Sequence, residues 1–238
     1  MAAPESGPRR AAAFFDVDGT LAATTIVHYY VYFRRRQMSP LWGRLWYSAF
    51  LLKCGYYLLL DRIDRGRLNV VFYRSYAGLP VDRIKAQVED CYRDVIKPRR
   101  FEQAASCIAE HRAAGREVVL VTGSIDWVIA PLAAELKATR VVAPSLVESD
   151  GRFTGELNGP PLGADEKARR VLALAEAEGI DLSASHAYGD SIADRPMLEL
   201  VGHPHVVNPD KRLAAVAKAC GWTTHRWTLA RRPEGDGR

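Results

Sequence analysis

Apolar residues gather along this chain in five short runs, at 11–17, 117–121, 140–146, 184–188 and 203–207, each followed by small or polar turn residues. Runs of five to seven residues suit buried strands and are too short for independent helices. The stretches between them, at 99–114, 127–136, 166–178, 195–201 and 211–220, carry apolar positions three and four apart and predict helices. Strand and helix in alternation predict an α/β fold, a mostly parallel sheet flanked by helices. Residues 153–156 read as one arm of a hairpin turning at Asp150-Gly151.

Segment 24–97 breaks this alternation. It holds no strand pair and reads as helices at 25–37, 40–60, 67–76 and 81–95, a helical cap inserted after the first strand. The expected organisation is therefore a catalytic core formed by 11–23 and 98–229, a cap at 24–97, a disordered leader at 1–10 and a disordered tail at 230–238.

Parallel α/β sheets do their chemistry at the carboxyl ends of the strands. Three polar tripeptides fall there: Asp16-Val17-Asp18, Thr122-Gly123-Ser124 and Gly189-Asp190-Ser191. Two carboxylates spaced i, i+2 at a strand end repel unless a cation or a shared proton offsets them, and oxygen ligands of this type suit Mg2+. Asp16 can act as nucleophile on phosphorus, with Asp18 as general acid and base. Thr122 and the Gly123 backbone can hold phosphate oxygens, and Lys167 can offset charge on Asp16 and the transferring group. Asp190 can complete a Mg2+ shell with Asp16 and the Val17 backbone carbonyl, while Asp194 orients that shell or the lysine. Taken singly, Thr122-Gly123-Ser124 is a plain turn, Lys167 a solvated helix lysine and Asp190 a helix cap. Their compatible order at strand ends is what argues for one site.

These residues carry a resemblance to the haloacid dehalogenase-like (HAD) phosphatase superfamily. Phe15-Asp16-Val17-Asp18-Gly19-Thr20-Leu21 resembles its first motif and Val121-Thr122-Gly123-Ser124 its second. Lys167 falls where the third is expected, and Gly189-Asp190-Ser191-Ile192-Ala193-Asp194 resembles the fourth. The resemblance spans about residues 11–229. It implies a Rossmann-like core, Mg2+ dependence, an aspartyl-phosphate intermediate and a cap between the first two motifs, as in the phosphoserine-phosphatase-like branch (subfamily IB). Dehalogenases and phosphomutases share the superfamily. Asp18 favours phosphoryl chemistry over dehalogenation, and the phosphotransfer alternative stays open. Phosphoserine phosphatases carry a glutamate soon after the first motif; residues 22–27 here contain no acid, which disfavours phosphoserine itself.

Charge changes the picture of the cap alone. The net charge is +5 over 238 residues, yet segment 24–100 holds 15 Lys/Arg against 6 Asp/Glu, and the rest is mildly acidic. Residues 24–60 contain ten aromatic and five basic residues and no acid. A buried cap helix accounts for part of this. The competing expectation is a cap lying on a membrane surface, with Trp42, Trp46, Tyr47, Tyr56 and Tyr57 at the interface and Arg34, Arg35, Arg36 and Arg44 on lipid phosphates. The partner expected is accordingly a phosphorylated substrate, either a phospholipid or other amphiphilic phosphate or a small soluble phosphomonoester. Nucleic acid is not expected, because the arginines alternate with long aliphatic runs. A non-catalytic membrane-binding scaffold is the third class.

Four cysteines without metal-ligand spacing read as free thiols and fit a cytoplasmic location, at the membrane surface if the cap binds there. The histidines form no zinc pattern. His28, Asp126 and Trp127 are candidates for the substrate pocket.

Overall fold

In the computed structural model, which describes residues 10–63 and 65–230, the apolar runs become strands of a single parallel sheet. The expected leader, apart from Arg10, and the expected tail, apart from Ala230, lie outside the described residues. The chain begins with β1 (Ala12–Phe15) and passes into a helical insertion: α1 (Ile26–Arg36), α2 (Pro40–Ile63), α3 (Arg65–Tyr73), α4 (Val81–Lys85) and α5 (Val88–Cys91). It returns through α6 (Ala104–Ala113), β2 (Glu117–Val121), α7 (Asp126–Leu136) and β3 (Arg140–Val142) to a hairpin of β4 (Leu146–Ser149) and β5 (Arg152–Leu157). The remainder is α8 (Ala164–Glu178), β6 (His186–Gly189), α9 (Arg195–Leu198), β7 (His203–Val207), α10 (Lys211–Cys220) and β8 (Thr223–His225).

The six strands lie in the order β3-β2-β1-β6-β7-β8. Alternation along β1 and β2 fixes the two faces. Ala13, Phe15, Val118 and Leu120 pack with Ile108 of α6 and Ile129 and Leu132 of α7. Ala12, Phe14, Val119 and Val121 pack with Val171 of α8, Leu198 of α9 and Leu213 of α10. The chain thus winds to one side of β1 and then to the other, which opens a crevice at the carboxyl ends of β1 and β6. The register Phe15↔Leu120 and Phe15↔Tyr188 sets Asp16 level with Val121 and Gly189, one residue short of Thr122 and Asp190.

Several element boundaries differ from the sequence reading. Residues 140–146 do not form one strand; β3 stops at Val142 and, past Pro144, the chain enters the hairpin at Leu146. Proline cannot donate to a ladder, so a strand break there is expected. Helix 99–114 starts only at Ala104, because Arg100 is extended (φ −66°, ψ 140°) and the chain there runs beside Leu21, whose carbonyl accepts Phe101 N–H (3.0 Å). Helix 81–95 breaks into α4, α5 and a wider π turn at Tyr92–Ile96. The hairpin turns where expected, with positive φ at Asp150 (50°) and Gly151 (70°).

The insertion is joined to the core by this hairpin and by aromatic packing. Gly78 N–H donates to the Phe153 carbonyl (2.8 Å) and Phe153 N–H to that of Leu79 (3.0 Å). Tyr29, Tyr30, Phe33, Phe72, Tyr73 and Tyr76 are buried together, with Trp127 stacked on Phe153 at 5.6 Å. Burial explains much of the aromatic excess. It does not explain the outer face of α2, where Leu41, Trp42 and Leu45 are exposed, Trp42 to 67%. Among the described residues no helix is long and apolar enough to cross a membrane.

Candidate active site

The centre of the crevice is a buried lysine between two carboxylates. Lys167, in the first turn of α8, is 3% exposed and its Nζ donates to Asp16 Oδ1 (2.5 Å) and Asp194 Oδ1 (2.7 Å). Burial works to lower the Lys167 ammonium pKa, but attraction to Asp16 and Asp194 outweighs it and holds the group above its ordinary value. Burial pushes the Asp16 carboxyl up to about 6, against Lys167 and with added repulsion from Asp194 and Asp18. The ammonium keeps its proton, and the excess negative charge stays with the carboxylates.

Asp194 organises this centre. Its Oδ2 accepts from Ser191 N–H (3.1 Å), Ser191 Oγ (3.0 Å) and Asp190 N–H (3.3 Å), while Oδ1 takes the lysine. That loop geometry sets Asp190 over Gly19, whose φ is +97°; a Cβ at Gly19 would meet Asp190 Oδ2 at 2.2 Å. Thr20 Oγ1 also donates to Asp190 Oδ1 (3.4 Å).

Asp16, Asp190 and Asp194 each offer a carboxylate oxygen, the three within 4.8 Å of one another. Asp16 Oδ2 is buried and has no hydrogen-bond partner. A buried acceptor without a partner, in a cluster whose carboxylates outnumber its single lysine, fits a hard divalent cation. The Val17 carbonyl, expected as a ligand, is engaged within the chain. It accepts N–H groups from Leu21 (2.9 Å), Ala22 (3.1 Å) and Thr20 (3.3 Å), so its lone pairs close the turn after β1. Among the described residues the next carbonyl, that of Asp18, accepts no backbone hydrogen bond.

Asp18 sits in a different environment. Tyr29 Oη of α1 donates to its Oδ1 (2.6 Å) and Ser124 Oγ to its Oδ2 (2.5 Å). Thr24 Oγ1 lies 2.7 Å from the same tyrosine oxygen. Thr122, fully buried at the end of β2, accepts Ser124 N–H at its Oγ1 (3.0 Å), which leaves its hydroxyl proton available. Gly123 is crowded by the insertion. Tyr73 Oη donates to its carbonyl (2.8 Å), and a Cβ there would meet Asn69 Nδ2 at 2.9 Å.

The structure therefore brings Asp16, Asp18, Thr122, Gly123, Lys167, Asp190 and Asp194 into one crevice. The three pocket candidates each make contacts of their own. His28 Nδ1 lies 2.9 Å from Thr25 Oγ1 and accepts Thr25 N–H (3.1 Å), capping α1. Asp126 Oδ1 accepts Trp127 N–H (2.7 Å), and the charges of Lys85 and Glu148 act on it. Trp127 packs among Phe33, Tyr76 and Phe153. Sequence reasoning missed Tyr29, Asn69 and Tyr73, which lie in helices whose aromatic content reads only as core. Ser124 stood inside the second motif, but nothing in its spacing pointed to Asp18.

Comparison with known proteins places this site in a family. The family model described as haloacid dehalogenase-like hydrolase matches residues 13–199. A probable phosphatase of Mycobacterium tuberculosis is 36% identical over 226 residues, covering 91% of this chain and 76% of that protein. A phosphoserine phosphatase of the same organism is 33% identical over 229 residues, covering 93% and 72%. A solved Bordetella pertussis protein of unknown function superposes with a TM-score of 0.77 at 28% identity, covering 92% of this chain and 99% of its own. The chain belongs to the haloacid dehalogenase-like hydrolases, in their phosphoserine-phosphatase-like branch, and is an enzyme of the phosphatase type.

Proposed function

We propose that this enzyme hydrolyses a phosphomonoester in two steps through a phosphorylated Asp16, with Mg2+ as the resident cation. The observation that carries the reading is the buried Lys167 bridging Asp16 and Asp194 while Asp16 Oδ2 has no partner. That arrangement holds one carboxylate in place and leaves it an oxygen for an external group.

Asp16 attacks phosphorus, the ester P–O bond breaks, and the leaving oxygen takes the Asp18 proton. Asp18, now a carboxylate, accepts a proton from the water that attacks the aspartyl-phosphate. The acyl-phosphate P–O bond breaks, inorganic phosphate leaves and Asp16 is restored. Tyr29 and Ser124 keep both Asp18 oxygens aimed throughout. Thr122 and Gly123 receive the phosphoryl oxygens, and Lys167 balances charge on them. Asp16, Asp190 and the Asp18 carbonyl would hold the cation, with Asp194 fixing the loop; when bound, the cation offsets phosphate charge.

On the substrate side the insertion contributes Tyr29, Asn69 and Tyr73, all neutral, and residues 22–27 bring no acid. An ammonium on the leaving alcohol would find no carboxylate beyond the catalytic group, so the substrate is a phosphomonoester of an uncharged alcohol. The test is phosphate release from a panel of soluble and amphiphilic phosphomonoesters, with Mg2+ or with chelator. Mg2+-dependent release that Asp16→Asn abolishes supports the reading. Turnover undiminished by chelator, or transfer of phosphate to an alcohol in preference to water, contradicts it.

A further inference from the structure

A second concavity of about 630 Å3 opens between α1 and α2, beside the crevice and not within it. Its lining includes Val31, Met38 and Phe50 together with His28, Arg35, Arg36 and Arg99, of which Arg36 is paired with Asp94 (3.1 Å). The volume falls in the range of small-molecule sites, about 300–1,000 Å3. Among the described residues no acidic one lines it. Among the described residues neither Arg35 nor Arg99 pairs with a carboxylate: Arg35 lies over the Tyr47 ring at 5.6 Å, and Arg99 Nη1 donates to the Val95 carbonyl (2.9 Å).

The groove and the catalytic crevice share a wall. Consecutive residues of α1 serve the two, Tyr29 donating to Asp18 and His28 lining the groove. The charge of Asp18 acts on His28, and the Arg99 carbonyl accepts Ala23 N–H (2.8 Å) from the turn that follows the catalytic strand. His28, within reach of the Asp18 charge, is thus also part of the groove's lining.

We propose that this groove binds the single alkyl or acyl chain of an amphiphilic phosphomonoester whose phosphate sits at Asp16. The inference rests on the hydrolase reading above and names its substrate class. The cationic part of the lining draws in a dianionic phosphate and repels an alcohol bearing an ammonium; the apolar part removes the chain from water.

The test uses the full chain, Mg2+ and n-alkyl phosphates from butyl to decyl below their aggregation limits, with p-nitrophenyl phosphate alongside. kcat/KM is expected to rise about two- to fourfold per methylene until the groove is filled. Leu51→Asp places a carboxylate on the groove wall at a half-exposed position, where folding is not at stake, and is expected to flatten that slope. Leu172→Asp, on the outer face of α8, is expected to keep it. A flat slope in the wild type with clear release from every ester overturns the groove proposal and leaves the hydrolase reading standing. A slope that survives Leu51→Asp also overturns it. A flat slope together with a dimer that Leu51→Asp dissolves assigns the groove to a second copy. Absence of release from every ester, p-nitrophenyl phosphate included, overturns the hydrolase reading and the groove's role with it.

Discussion

The two sides of the crevice are built from different materials. The sheet side holds Asp16, Asp190, Asp194 and Lys167, charged groups at the ends of β1 and β6 and the start of α8, with Asp16 and Asp194 held on the lysine at 2.5 and 2.7 Å and Asp190 beside them. The insertion side offers Tyr29, Asn69 and Tyr73, neutral groups on α1 and α3. Charge at the strand ends is needed whatever alcohol leaves, so it belongs to the reaction. On the proposed reading the neutral groups of the insertion would face the leaving group, so their choice would follow the substrate. Asp18 stands on the boundary, held by Ser124 from the sheet side and Tyr29 from the insertion.

The largest effect that bears on this division is at Asp16. Asp16→Asn removes the nucleophile while keeping its shape, and activity is expected to fall at least about 10^4-fold on every substrate, measured as phosphate release. A loss confined to some substrates would break the division.

Lys167→Met comes next. It leaves Asp16 and Asp194 buried and unbalanced, and removing one partner of a buried ion pair costs about 3–5 kcal/mol. The variant is expected to lose about 10^2–10^3-fold in kcat and to melt lower, by calorimetry. Asp194→Asn in the same background should recover part of the melting temperature and none of the activity.

Tyr29→Phe sharpens the boundary. Losing one hydrogen bond to a charged acceptor costs about 1.5–3 kcal/mol. kcat is expected to drop roughly tenfold or more on alkyl phosphates, which need a proton from Asp18, and far less on p-nitrophenyl phosphate, whose leaving group needs none. Equal losses on both would make Tyr29 a packing residue only. Ser124→Ala should show the same leaving-group pattern.

The smallest effect lies away from the crevice and separates stability from chemistry. His186 and His205 ring nitrogens lie 3.0 Å apart, and those of His205 and His225 3.1 Å. Burial lowers His111 and His186 to about 4 and His205 to about 3, from an ordinary value near 6.5. The folded state thus binds fewer protons than the unfolded one below that value. Stability is complete above pH 6.5 and declines as pH falls toward 4. The melting temperature should fall over that window and fall less in His205→Phe, with kcat at pH 7 unchanged.

Sequence pattern and physical chemistry made the charged half legible and the neutral half opaque, for a definite reason. Asp16, Thr122 and Asp190 mark themselves because each is a polar residue that ends or closely follows a continuous apolar run. Lys167 and Asp194 were placed by their order relative to those strands. Tyr29, Asn69 and Tyr73 sit on helices where a tyrosine or asparagine is as well explained by packing as by chemistry, and only tertiary placement distinguishes the two. The Val17 carbonyl takes its three N–H partners from the turn that contains Gly19, which residue identity alone does not specify. The Trp42 face of α2 remains exposed where burial was one of the two accounts offered, and the groove behind it was not visible from periodicity.

The most direct measurement is acid quenching of the wild type during turnover of a 32P-labelled phosphomonoester, followed by peptide mapping. The expected result is label on the peptide containing Asp16, released by hydroxylamine as an acyl phosphate is, and absent in Asp16→Asn. Label on another residue, or steady turnover with no labelled protein at any time of quench and retained activity in Asp16→Asn, would contradict the account.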